Sequence, residues 1–108
     1  MKIIKIMLDK ERQLKMCTRT FPTVEKVLGA SMEKVDFEKQ ETIYALLLGL
    51  MIWQDKKLTL DKVYDIVDVA IENKMEKDEL DFMEAFGAVL SEIGEAVNEL
   101  MNADNPSK

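Results

Sequence analysis

Asp81–Met101 reads DFMEAFGAVLSEIGEAVNELM, and its apolar spacing decides what kind of fold this chain can have. Two apolar stripes run through it side by side. One is Phe82, Phe86, Val89, Ile93, Ala96 and Leu100; the other is Met83, Gly87, Leu90, Gly94, Val97 and Met101. Both step +4, +3, +4, +3, +4, so both lie along one helix as heptad seams. A surface helix of a small domain needs only one apolar face. Two readings fit the pair: a single broad core stripe in a compact bundle, or one seam packed on the chain's own core with the second offered to a partner. The second seam alternates glycine with larger residues, which lets another backbone approach closely at a helix-propensity cost of ~1 kcal/mol per glycine.

The rest of the chain supplies a core for such a helix. At 108 residues and 47 % hydrophobic, it predicts one folded domain over 1–101. Ala45–Trp53 is the longest apolar stretch and falls well short of the ~20 residues that cross a bilayer. Met1–Leu8 is apolar, but charges follow at once and no small-residue cleavage site appears, so a signal peptide is not expected. Cys17 is the only cysteine, which excludes an intrachain disulfide and fits a reducing cytoplasm.

The net charge of −6 is unevenly spread. Met1–Lys39 holds nine Lys/Arg and six Asp/Glu, a net +3; Gln40–Lys108 holds six Lys and fifteen acids, a net −9. An acidic chain with only Arg12 and Arg19 as arginines is a poor nucleic-acid binder. The polarity favours head-to-tail self-association, or serves only as a solvated acidic face that maintains solubility.

Periodicity predicts a mainly α fold: a small N-terminal β-hairpin (1–18) followed by about four helices. Lys2–Leu8 and Leu14–Thr18 alternate as short strands, joined by the polar Asp9–Gln13, which lacks the usual Gly or Asn. Thr20-Phe21-Pro22 opens a helix that Gly29 stops, with Thr20 as its cap. Asp36 caps the next, which runs to about Trp53 and is apolar on nearly all sides, hence buried. Thr59 caps a third helix, with Leu58 and Val63 placed as a hydrophobic staple. Leu60, Val63, Tyr64, Val67, Ala70 and Ile71 form its stripe, and Asn73–Lys74 end it. Asp78 caps the last helix, and Asn102–Lys108 reads as a disordered tail.

Chemistry-bearing patterns are scarce. There is no histidine, so the commonest general base and metal ligand are missing. A lone cysteine builds no thiolate zinc site and has no histidine to activate it. Gly29, Gly49, Gly87 and Gly94 are too scattered to cradle a phosphate. Asp61, Asp65, Asp68 and Glu72 share one helix face and read as its solvated side. Asp55–Asp61 lacks the acidic-glycine pattern of a calcium loop, with Lys56 and Lys57 where ligands would be needed. No Asp-Ser-Leu marks an acyl-carrier protein. No catalytic residue, metal site or cofactor is therefore expected. Eight methionines are many for this length. Met16, Met51 and Met75 read as core filler, whereas Met83 and Met101 lie on the second seam, where thioethers adapt to irregular partners.

The order of these pieces resembles the tail assembly chaperones of long-tailed bacteriophages and prophages. The resemblance lies in the hairpin, in Thr18-Arg19-Thr20 leading into Val24-Glu25-Lys26-Val27-Leu28-Gly29, in the apolar Ala45–Trp53, and in Asp55–Asp68 with its Lys57-Leu58-Thr59-Leu60 start. It covers roughly Lys5–Glu72 and rests mainly on helix punctuation; Asp81–Met101 matches no family pattern. The resemblance implies a helical, non-enzymatic protein of the host bacterial cytoplasm that coats the tape measure protein, helps recruit tail tube subunits and is absent from the mature virion. Many members are also made in a longer form by frameshifting, a junction that Asn102–Lys108 would suit. The residues expected to bind the partner are Met83, Gly87, Leu90, Gly94, Val97 and Met101, with self-association and no nucleic acid or membrane partner. The alternative is a structural homo-oligomer that uses the last helix as a permanent subunit interface.

Overall fold

The computed structural model describes residues 2–103. The chain runs as strands β1 (Ile3–Met7) and β2 (Glu11–Lys15), helix α1 (Thr20–Leu28), a 3-10 turn at Met32–Lys34, and helices α2 (Gln40–Met51), α3 (Leu60–Asp78) and α4 (Phe82–Ala103). It is mainly α with one N-terminal antiparallel hairpin, as the periodicity predicts.

β1 and β2 pair from Ile3 opposite Lys15 to Met7 opposite Glu11. Alternation sends Ile6, Leu8 and Leu14 into the core and leaves Ile3 and Met7 largely in solvent. The turn is tighter than expected: β2 starts at Glu11, not Leu14. Asp9 makes this possible without glycine. Its carboxylate accepts from the Lys10 N–H at 2.8 Å and from Arg12 at 2.8 and 2.6 Å, while the Leu8 N–H donates to the Lys10 carbonyl. The fork of Arg12 suits such a two-point contact.

α2 is the central element. From Tyr44 to Met51 every residue is buried, and α1, α3, α4 and β2 surround it. Its glycine is required by packing. A Cβ on Gly49 would stand 2.7 Å from the Thr20 carbonyl oxygen, so only glycine lets α1 start this close. Thr20 is consequently not a cap. It is fully buried, its hydroxyl accepts from the Cys17 N–H and donates to the Gly49 carbonyl, and Arg19 takes the cap position. Gly29, at φ 67°, closes α1 as expected. Asp36 is also displaced from its expected role. It turns the chain by accepting from the Glu38 N–H, and α2 begins four residues later, at Gln40.

The Thr59 hydroxyl caps α3 by accepting from the Lys62 N–H, and Leu58 and Val63 are both buried as the staple requires. α3 does not end at Lys74. Met75 packs on the core and Lys74 binds Glu92 of α4 at 2.8 Å, so the helix is held for another turn. It stops at Glu79, in the left-handed region at φ 53°, whose N–H donates to the Met75 carbonyl. Asp78 therefore belongs to α3, and Asp81 opens α4. Its carboxylate accepts from the Glu84 N–H at 2.9 Å, and Glu84 reaches back to the Asp81 N–H at 3.2 Å, a reciprocal capping box. α4 continues through Asn102 and Ala103 rather than ending at Met101. Residues 104–108 of the expected tail lie outside the described residues.

Candidate docking face of the last helix

α4 has a buried line and an open line. The buried line is Ala85, Val89, Ile93, Ala96 and Leu100. It coincides with the first seam from Val89 onward, but at its start Ala85 replaces Phe82 and Phe86. Phe82 is 52 % exposed and stacks on half-buried Phe86, ring centroids 5.7 Å apart. Ala85 lies off both seams, and alanine is too weakly apolar to be read as an anchor. Its one signal is its position four residues before Val89.

The second seam is graded along its length. Met83 is 70 % exposed and Gly87 is exposed; Leu90 and Gly94 are half-buried; Val97 is buried and Met101 half-buried. The far end closes because α2 meets it there. Gly94, Val97, Asn98 and Met101 form one wall of a groove of about 360 Å³, with Phe37, Ile43 and Leu46 opposite. Phe37 lines the groove and is still 49 % exposed. Sequence reasoning missed this wall because it ran one helix from Asp36 to Trp53. The available signal was Phe37 itself, a lone aromatic in an otherwise polar run.

The two seam glycines differ from Gly49 in kind. A Cβ on Gly87 or Gly94 would meet nothing within 4 Å, and neither has positive φ. Nothing among the described residues requires glycine at either position. Each leaves a gap in the helix surface and gives up helix propensity to do so.

The groove itself has no charged residue in its lining, whereas α4 as a whole is acidic. α4 carries Glu84, Glu92, Glu95 and Glu99 and no lysine or arginine. Glu92 binds Lys74 at 2.8 Å, holding that ammonium above the usual lysine range, and Glu99 binds Lys2 at 2.9 Å. Glu84, Ser91, Asn98 and Asn102 are exposed, and Glu95 lines a cavity with Lys5 of β1, Glu92 and Glu99, on the hairpin side of α4.

Other sites offer less to a ligand. The cavity of about 440 Å³ between the hairpin turn and Gln54–Asp55 is lined by charged side chains, and Arg12 there is already held by Asp9. The acidic row Asp61, Asp65, Asp68 and Glu72 is exposed along α3. Among the described residues no cluster of three or more His, Cys, Asp or Glu side chains is placed to hold a metal ion. Cys17 is half-buried with a free thiol. Among the described residues no helix is long and apolar enough to cross a membrane. Comparison with family models, with curated proteins and with solved structures returns no match for this chain.

Proposed function

We propose that this chain is a non-enzymatic tail assembly chaperone of a long-tailed phage or prophage. In this reading it binds and shields the tape measure protein in the host cytoplasm, helps recruit tail tube subunits, and leaves before the virion is complete. The observation that carries the binding role is the second seam of α4, with solvent-facing Met83, two glycines where an added Cβ would meet nothing within 4 Å, and a groove that continues the seam to Met101. A helix laid along that line would place bulky residues over Gly87 and Gly94, which are one heptad apart. Modest affinity at each site, repeated over many copies, is what shielding a long helical client requires.

The test is a tagged pull-down from cells producing the source phage, read by mass spectrometry, with the Gly87→Leu/Gly94→Leu double variant alongside. The expected result is one very long helical protein and a tube subunit with the natural chain, and loss of both with the variant. Recovery of this protein alone, together with a dimer that persists on dilution in light scattering, would overturn the proposal in favour of a permanent homo-oligomer.

A further inference from the structure

The second seam of α4 is unmatched at both ends, in opposite senses. At its start Met83 projects, 70 % exposed. At its far end the groove is a hollow, lined by Val97 and Met101 with Phe37, Ile43 and Leu46 opposite, and no charged residue. Met83 and Met101 stand roughly 27 Å apart along the helix. The projecting end therefore cannot reach the hollow of its own chain, but it can reach that of another.

A two-fold axis at the level of Glu92 lays the seam, reversed, on a second copy. Met83 then lies opposite Met101 of the second copy, Gly87 opposite Val97, and Leu90 opposite Gly94. Each glycine meets a branched side chain, and the open space over Gly87 and Gly94 lets the two backbones close in. Recessed Val97 is met where the other chain has no side chain to hold it off. Each exposed Met83 arrives at the other chain's groove. Pairing in the same direction does the reverse. It sets Gly87 on Gly87, Leu90 on Leu90 and Met83 on Met83, and it leaves both grooves empty.

Charge makes the same choice. The exposed row that borders the seam is Glu84, Ser91 and Asn98. In the reversed pairing Glu84 faces Asn98, whose Oδ1 already accepts from Asn102, so that its Nδ2 is the group left to donate to a carboxylate. In the same direction Glu84 faces Glu84, and like charges in apposition disfavour a partner. Glu92, Glu95 and Glu99 lie on the hairpin side, off this line.

We infer that α4 pairs antiparallel with α4 of a second copy, with Met83 of each chain seated in the groove of the other. This goes beyond the client reading and does not depend on it. The seam is a single line that its own domain already covers in part, at Leu90, Gly94, Val97 and Met101, so the pair is a reversible dimer. A client helix laid on the same seam competes with the second copy.

The experiment uses the full chain with Cys17→Ala, so that each added cysteine is the only thiol. Met83→Cys and Met101→Cys chains are mildly oxidised, separately and mixed, and read on non-reducing gels. The expected result is a cross-linked dimer several-fold more abundant in the mixture than in either chain alone. Ser91→Cys, beside the two-fold axis, should cross-link to itself. Light scattering on the natural chain should show the mass rising from monomer towards dimer with concentration. Gly87→Leu/Gly94→Leu, with unchanged circular dichroism, should raise the midpoint of dissociation at least about tenfold. Cross-linking of Met83→Cys to itself as readily as to Met101→Cys would overturn the antiparallel register. A monomer at every concentration up to ~1 mM would overturn the pairing altogether. Neither result decides the client reading, which the pull-down tests by itself.

Discussion

Replacing Gly87 and Gly94 by alanine should make this protein more stable. Both lie inside α4, neither has positive φ, and the added Cβ meets nothing within 4 Å at either site. The substitution therefore adds helix propensity with no steric charge against it, ~1 kcal/mol per site. The two positions are seven residues apart, about 10 Å along the axis, so their effects should add to about 2 kcal/mol. For a domain of this size that raises the melting temperature by roughly 10 °C. Thermal and urea melts followed by far-ultraviolet circular dichroism would measure it, with an unchanged urea slope showing that the same surface is exposed on unfolding. Gly49→Ala is the internal contrast. Its Cβ would press to 2.7 Å from the Thr20 carbonyl oxygen, and α1 must retreat. Overpacking of that kind costs about 1–3 kcal/mol, so the net result after the propensity gain is a loss of up to about 2 kcal/mol. If the Gly87/Gly94 variant is no more stable than the natural chain, glycine is needed there for the chain's own packing. The two glycines then do not keep this face open for another molecule.

Three further outcomes follow from local geometry. Thr20→Val should cost about 2 kcal/mol in urea unfolding, because the half-buried Cys17 N–H and the buried Gly49 carbonyl lose their shared hydroxyl; Thr20→Ser should recover most of it. Asp81→Ala removes the α4 cap and should cost about 1 kcal/mol, with faster amide exchange at Glu84 as its local sign. The hydrogen-bonded Arg12 guanidinium holds the Asp9 carboxyl below its usual range, so their stabilisation is fully present above the ordinary aspartate value of about 3.9 and is lost as pH falls through the lowered folded value. Asp9→Asn should accordingly lower stability by about 1 kcal/mol at neutral pH, and the gap from the natural chain should close in strong acid.

What could be read in advance was periodic. The 3.6-residue stripe of α3 found Val63, Val67, Ala70 and Ile71 of its buried face but took in exposed Tyr64 and left out buried Ile66, and the all-round apolarity of α2 placed it at the centre. Ends were read less well wherever a tertiary contact outweighed a local signal. Asn73–Lys74 looks like a stop, yet Lys74 is pinned by Glu92, eighteen residues away, and the helix runs on. Asp78, Asp81 and Thr20 all have side chains that can cap. Choosing among them depends on where the backbone reverses and on what is buried, and spacing along the chain carries neither. The α4 face was half legible. Its seam residues were found by heptad count, but Phe37, Ile43 and Leu46 entered only when α2 came alongside. The different status of Gly49 and of Gly87 and Gly94 depends on neighbours from another helix, which no single stretch of sequence contains.

Trp53 stands just past the end of α2, where its indole N–H donates to the Gln13 carbonyl at 3.2 Å and the Lys15 ammonium lies 4.9 Å from its ring centroid. It is the only tryptophan. The intrinsic emission of this protein is thus a private signal of the hairpin seated on the end of α2, with no indole on α4 to confuse it. A ligand that settles on α4 should leave that emission alone, and one that pries the hairpin loose should shift it to the red. The molecule carries its own optical test of which half a partner has engaged.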